Sequence, residues 1–428
     1  MTEDQNEVYS SVEEIIEASY GYLESNEVSG ERWGKSYHFY KPAQTKYGPF
    51  QWLWDSGWHM IVWSHRNVEN AIKDLESMLE FQQPNGFIPE MIYWGERSKF
   101  ARFMDRFIGY SHEKYTDISQ MPMLAYSLRA IYNATQDIEL LETYVPRLVE
   151  YFHWWERERD PDGDGLISII HPWESGIDAS PLYDPVWGLE NPGFWQLYPK
   201  FLKTLRYYKK KVKWDQEKIL EKTIFNVEDV GVNSVYAAGW GELAKLARLF
   251  DPSLSSECAQ KQQKFEQAIL SKCWNPQRHQ FISYYQTESA ERPSNIQTIQ
   301  SLFPLLLDSL PQKIEDALIE DLTNPEKFWL PYPVPSVPKN EPTFNPEESR
   351  LLWRGPTWPC TTWLVMEGLL KHDHLILAKK ILDRWIEMYK KNGIYEYHHP
   401  INGKGEGEEG LGMSLTIVDM IHRIRKLE

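Results

Sequence analysis

Cysteine is scarce in this 428-residue sequence: Cys258, Cys273 and Cys360 are the whole set. An odd, sparse set without metal-ligand spacing predicts no disulfide framework, no zinc site and no other metal. No run of about 20 apolar residues is present to span a bilayer. Residues 1–25 are acidic and lack an apolar stretch, so no secretory signal is expected there and a cytoplasmic protein is. Basic residues are in deficit, with 46 Lys and Arg against 62 Asp and Glu, for a formal net charge of −16. Such a chain, with no basic run interleaved with aromatics, is poorly suited to nucleic acid or an anionic membrane. Gly/Ser linkers and low-complexity tracts are missing, and strand signals are confined to residues 166–170 and 281–285. Nothing in the sequence speaks to oligomeric state.

What is abundant is aromatic: 19 Trp, 24 Tyr and 17 Phe. A large core absorbs many of these. Several, however, sit beside Gly, Pro, Asp and Arg in segments that do not read as core. Sugar-binding clefts need that mixture, because a pyranose offers apolar C–H faces to stack and hydroxyls to hydrogen-bond. The rest reads as helix after helix. Apolar residues recur at helical spacing through Tyr144, Leu148, Phe152 and Trp155, through Leu243, Leu246 and Phe250, through Phe265 and Ile269, and through Leu375, Ile381, Trp385 and Met388. Further helical patterns cover roughly residues 9–25, 56–82, 117–134, 198–212, 296–309, 357–371 and 411–426. About a dozen helices with short connections predict one all-α domain over residues 1–428, a barrel of six helical hairpins rather than an open solenoid. The loops at 47–58, 84–115, 160–187, 331–359 and 393–412 carry the unusual residues, and binding groups usually sit on such loops.

Glycoside hydrolysis needs two carboxyls on opposite faces of the sugar, one protonated to donate to the leaving oxygen and one ionised to activate water. Among 62 acids, four are embedded in aromatic, Gly- and Pro-rich surroundings: Asp55 in QWLWDSGWH, Glu174 and Asp178 in HPWESGIDASPLYD, and Glu396 in GIYEYHHP. Each taken alone has an ordinary reading: Asp55 caps the helix that follows, and Glu174 braces its loop. Asp178, following Gly176 and Ile177, fits a tight, partly apolar turn that would raise a carboxyl pKa. Glu396 lies between Tyr395 and Tyr397, whose hydroxyls are placed to orient it.

Five segments, WLWDSGWH, WESGIDASP, PYPVPSV, WRGPTWP and YEYHHPINGKGEG, occur in that order over residues 51–408. Together they resemble glycoside hydrolase family 63, above all its short bacterial mannosylglycerate and glucosylglycerate hydrolases. Family 37 trehalases share a looser version through the same ESG-x-D turn. The resemblance implies an (α/α)6 barrel and an inverting α-glycosidase acting on a small glycoside, with no cofactor. Asp178 matches the general acid and Glu396 the general base. Trp54 and Asp55 match a pair lining the pocket of the cleaved sugar, Gln120 in SQMP a glutamine contacting its hydroxyls, and Trp353, Arg354 and Trp358 another wall. Tyr93 and Tyr397 are further candidate sugar contacts. The pattern departs at Ala179 and Met413, where relatives often carry Asn and the Trp of a GW pair.

The substrate implied is 2-O-glucosylglycerate or 2-O-mannosylglycerate. The local excess of Arg97, Lys99, Arg102, Arg106 and Lys114 over Glu96, Asp105 and Glu113 suits a carboxylate in the leaving group, although a solvated helix face gives the same pattern. A neutral α-glucoside such as glucosylglycerol, trehalose, kojibiose or an oligosaccharide is the alternative. A sugar epimerase would need a histidine pair, and the histidines are expected outside the motif-bearing loops. A non-catalytic sugar-binding protein would keep the tryptophans but need neither Asp178 nor Glu396. DPDGDG at residues 160–165 looks like half a calcium loop, but His171 stands where the twelfth-position glutamate belongs, so a plain turn is expected.

Overall fold

The computed structural model describes residues 7–45, 47–160, 162–221, 224–347 and 350–428, without the side chains of residues 105 and 106. Fourteen α-helices run through the described residues. They are α1 (Val12–Ser25), α2 (Leu53–Trp63), α3 (Val68–Leu79), α4 (Lys99–Ile108), α5 (Leu124–Thr135), α6 (Ile138–Arg159), α7 (Phe194–Tyr207), α8 (Gln216–Glu221), α9 (Val230–Ala247), α10 (Pro252–Ala268), α11 (Gln312–Thr323), α12 (Pro359–Lys371), α13 (Leu375–Asn392) and α14 (Ile417–Leu427). Strands are short; some form hairpins, as Tyr395–His398 with Gly405–Glu409, and others join remote segments, as Gln51–Trp52 with Met91–Ile92.

Burial separates two kinds of helix. Every residue of α2 is buried, as is every residue of α9 except Lys245 and of α12 except Leu370 and Lys371. Helices apolar all round belong inside. They are linked edge to edge: α2 packs on α5, α5 on α9, and α9 on the 3-10 segment Ile299–Leu306. That segment packs on α12, and both α12 and α2 pack on the turn Gly412–Thr416 that leads into α14. Outside them lie α3, α6, α10 and α13, each burying one face: Leu75, Met78 and Leu79 of α3, or Ile381, Trp385 and Met388 of α13.

The predicted helices are present with informative differences. The single pattern over 56–82 is two helices, because the fully buried α2 and the one-faced α3 belong to different layers and the chain must turn between them. The pattern over 117–134 becomes helical only at Leu124, since Pro122 disfavours helical backbone before it. Residues 166–170 contribute one bridge, Ile169 to Val227, rather than a strand, whereas residues 281–285 fall in the strands Gln280–Phe281 and Ser283–Gln286. The region taken as a loop at 84–115 contains α4.

The C-terminal ends of α2, α5, α9, α12 and α14 meet around a cavity of about 910 Å³ lined by His65, Arg129, Glu242, Glu367, Asp419 and Arg423. None of the five sequence motifs reaches it. Their residues gather at the opposite, N-terminal ends: QWLWDSGWH opens α2, SQMP precedes α5, WRGPTWP runs into α12, and the 395–409 hairpin precedes the turn into α14.

Candidate active site

Asp178 is carried by a turn that leaves little freedom. The 3-10 turn Pro172–Ser175 ends at Gly176, whose φ of +70° suits glycine, and a Cβ there would lie 2.9 Å from Cε2 of Trp54. The acid's turn is thereby laid against the indole that opens α2. Glu174 secures the turn from behind: its Oε1 accepts from Arg159 at 2.8 Å and from the Ser119 N–H at 3.2 Å, and its Oε2 accepts from the Ile170 N–H at 2.8 Å. Arg159 and Glu174 are both fully buried. The expectation that Glu174 is a brace holds, and its bond to Ser119 ties the acid's turn to the neighbouring Gln120.

Trp54 and Gln120 meet directly, the Trp54 N–H donating to Gln120 Oε1 at 3.0 Å. Asp55 does not cap α2; Trp52 occupies the cap position and Asp55 lies inside the first turn. Its carboxyl is buried, and Oδ1 has no hydrogen-bond partner among the described protein atoms. Burial, then the charge of Glu396 and that of Asp178, push Asp55 up to about 8. Asp178 is pushed up to about 7 by burial first and by Glu396 second. Three carboxyls thus share one poorly solvated enclosure, where like charges resist ionising together.

Glu396 sits on the strand Tyr395–His398, which is anchored at both ends. Thr357 and His398 exchange backbone hydrogen bonds at 2.9 and 3.0 Å, joining WRGPTWP to YEYHHP. Across the hairpin, the Glu408 N–H donates to Glu396 Oε2 at 3.1 Å. Gly407 makes that approach possible: a Cβ at its φ of +78° would lie 2.5 Å from the same oxygen. Trp353 stacks on Trp358 with centroids 3.8 Å apart, and Trp358 on Tyr397 at 4.9 Å, making an aromatic wall beside Glu396.

Two predicted contacts take other positions. Arg354 is buried behind that wall, where both terminal nitrogens donate to Asp184 at 2.6 and 2.8 Å, so it holds the wall rather than presenting a free guanidinium. The basic stretch divides: Arg97 is half-buried with its guanidinium 3.8 Å from the Tyr93 ring centre, whereas Lys99 and Arg102 lie exposed along α4. The side chain of Arg106 lies outside the described residues.

His59, His171 and His398 lie within the motif segments, contrary to expectation. Burial pushes them down to about 3, about 3 and about 4, so they stay neutral; His171 and His398 contact the backbone carbonyls of Phe201 and Gly393. They are packing groups, not a catalytic pair. Asp160, Asp162 and Asp164 do converge, but Lys264 reaches Asp160 at 3.4 Å and Lys272 reaches Asp164 at 2.6 Å, so lysines supply the positive charge.

Two residues escaped the sequence reading. The Tyr47 hydroxyl is pushed up by burial and then by the charges of Glu396, Asp55 and Asp178, which places it among the three carboxyls. Glu90 is buried near Asp178 in a segment without catalytic signature. Both lie in loops that the sequence marks by composition, Tyr47 in 47–58 and Glu90 in 84–115, but neither stands in a motif there.

Comparison with known proteins agrees with this geometry. A mannosylglycerate hydrolase of Thermus thermophilus is 27% identical over 422 residues, covering 89% of this chain and 95% of that protein. A glucosylglycerate hydrolase of Mycolicibacterium hassiacum is 24% identical over 409 residues, covering 84% and 88%. The crystal structure of a GH63 mannosylglycerate hydrolase from T. thermophilus in complex with Tris and D-glycerate superimposes with a TM-score of 0.82 at 26% identity, covering 96% of this chain and all of that one. The family described as the mannosylglycerate hydrolase MGH1-like glycoside hydrolase domain matches residues 48–414, the span from the strand before α2 to the turn before α14, and this chain, an enzyme acting on glycosidic bonds, belongs to it.

Proposed function

We propose that the chain is a one-domain (α/α)6-barrel α-glycosidase that hydrolyses 2-O-glucosylglycerate or 2-O-mannosylglycerate with inversion, releasing the free sugar and glycerate. The observation that carries the reading is the convergence of Asp178, Asp55 and Glu396 in one poorly solvated enclosure, where burial first and Glu396 second raise Asp178 to about 7; the match of Asp178 and Glu396 to the family's acid and base positions supports the division of roles. Asp178, as general acid, gives its proton to the glycosidic oxygen as the bond to the anomeric carbon breaks. Glu396, as general base, takes a proton from a water that attacks the same carbon from the opposite face. Asp55, Trp54 and the amide of Gln120 bind the sugar's hydroxyls, and the Trp353–Trp358–Tyr397 stack packs on its apolar face. Arg97, held over Tyr93, receives the carboxylate of the leaving group. The names of the relatives, which act on mannosylglycerate and glucosylglycerate, support this substrate class.

Proton NMR of a fresh reaction tests the reading: the β-anomer is expected first, and an α-sugar appearing first rules out inversion. On a panel of glucosylglycerate, mannosylglycerate, glucosylglycerol, trehalose and kojibiose, the glycerates should be preferred by at least about tenfold in kcat/KM, because a buried site built for a charged partner discriminates strongly against its loss. Equal activity on glucosylglycerol rejects the anionic leaving group.

A further inference from the structure

Glu90 is a buried carboxyl that the mechanism above does not use. It is 1% exposed, and its backbone is fixed on both sides: its carbonyl accepts from the Leu53 N–H at 2.9 Å, and its N–H donates to the Ile118 carbonyl at 2.7 Å. Those partners lead directly into Trp54 and Gln120. Glu90 is therefore sandwiched between the two segments that touch the acid's turn, one through Gly176 on Trp54 and one through Ser119 on Glu174.

The side chain meets hydroxyls and acids. Tyr110 donates to Oε2 at 3.2 Å, and Thr116, which accepts the Met91 N–H, lies within reach of the same carboxyl. From the acid's turn, Asp178 and Glu174 act on it, the charge of Glu174 being balanced by Arg159. From the 93–97 segment, Tyr93 faces it with Arg97 stacked beyond, and Asp117 acts on Tyr110. No cation is among the groups that bear most strongly on Glu90. Burial and then the charge of Asp178 hold its carboxyl well above the ordinary range. Asp178 on one side and Tyr93, with Arg97 stacked on its ring, on the other are thus the groups through which Glu90 bears on the site.

We propose that Glu90 sets charge selectivity on the leaving-group side: protonated, its carboxyl accommodates an anionic leaving group, and ionised, it repels one. The inference rests on Asp178 as the acid and on an anionic substrate. A glycerate carboxylate is ionised at any pH near neutrality. A second carboxylate beside it in a poorly solvated enclosure costs heavily, whereas a neutral carboxylic acid does not.

The test is the ratio of kcat/KM for glucosylglycerate to that for neutral glucosylglycerol, followed across the whole pH range in which the enzyme stays folded and through the ionisation of Glu90. Titration of Asp178 and Glu396 affects both substrates and largely cancels in the ratio. In the wild type the ratio should fall by about tenfold or more as Glu90 ionises. Glu90→Gln should hold it nearly flat, with the change in KM rather than kcat, and Glu90→Asp should restore the fall. Tyr110→Phe removes a hydrogen bond that favours the ionised form, so the fall should move to higher pH; this variant decides the matter if Glu90→Gln does not fold. A flat wild-type ratio, an equal fall in Glu90→Gln, or a Tyr110→Phe profile that does not move overturns the proposal. A ratio below one at every pH in the wild type instead rejects the anionic substrate, and a fully active Asp178→Asn rejects the acid.

Discussion

At the scale of single residues, the proposed mechanism needs Asp178 protonated and Glu396 ionised within one enclosure. Asp178→Asn and Glu396→Gln should each lower kcat by at least about a thousandfold while glucose binding, measured calorimetrically, persists. A variant retaining more than a few per cent of wild-type turnover would lose its assigned role. Asp178 must carry its proton to act, and burial with Glu396 pushes it up to about 7. For glucosylglycerol, kcat/KM should therefore fall about tenfold per pH unit above about 7 as Asp178 loses its proton, with a separate fall on the acid side once the general base is protonated. The same burial acts on stability. The folded-state values of Asp55 and Asp178 lie above their unfolded ones, so their contribution is present near pH 4 and is lost as pH rises through about 7 and about 8. Asp55→Asn and Asp178→Asn should accordingly raise Tm at pH 9 relative to wild type; a lower Tm there would contradict the raised values.

At the scale of elements, Gly407 sets how closely the hairpin backbone approaches the Glu396 carboxyl. Gly407→Ala places a Cβ 2.5 Å from Glu396 Oε2 at a φ of +78°, and the hairpin must yield. Displacing the base by about 1 Å should cost about a hundredfold in kcat, with far-UV circular dichroism unchanged. Near-normal kcat would mean that the base is not held by this hairpin. Of the five segments scattered over more than 350 residues of sequence, WLWDSGWH opens α2 and WRGPTWP runs into α12, whereas WESGIDASP lies in 3-10 turns and PYPVPSV in an irregular connection, so the helical pattern alone does not bring them together. Arg354 shows the limit of motif reading: its position beside Trp353 was evident, but its engagement by Asp184, 170 residues away, was not.

At the scale of the whole molecule, the cavity at the end opposite the site is crossed by a network of ion pairs. Arg129 bridges Glu367 at 2.6 Å and Glu242 at 3.4 Å, Arg423 pairs with Glu367 and with Asp419 at 3.4 Å, and His65 reaches Asp419 at 2.7 Å. Burial alone would raise Glu367, but Arg129 and Arg423 outweigh it and hold the carboxyl well below the ordinary range. Glu367→Gln would leave both guanidiniums without their common partner. It should cost about 3 kcal/mol in urea unfolding and leave kcat/KM unchanged, because the cavity there holds no motif residue. A loss of activity without a loss of stability would instead connect the two ends of the inner helices.

The sequence alone determined what depends on local pattern: helical periodicity, the helix-opening motifs, and the acids set among aromatics and glycine. It determined which segments carry the chemistry, because a site built from backbone turns needs Gly, Pro and Trp at fixed offsets. Tertiary structure decided what depends on neighbours remote in the chain. Only folding buries Glu90 within the field of Asp178, gives Arg354 to Asp184, and splits the basic stretch into Arg97 stacked on Tyr93 and Lys99 and Arg102 in solvent. The reason is that protonation state and charge pairing follow from burial and from the nearest opposite charge, and neither exists until the chain has closed on itself.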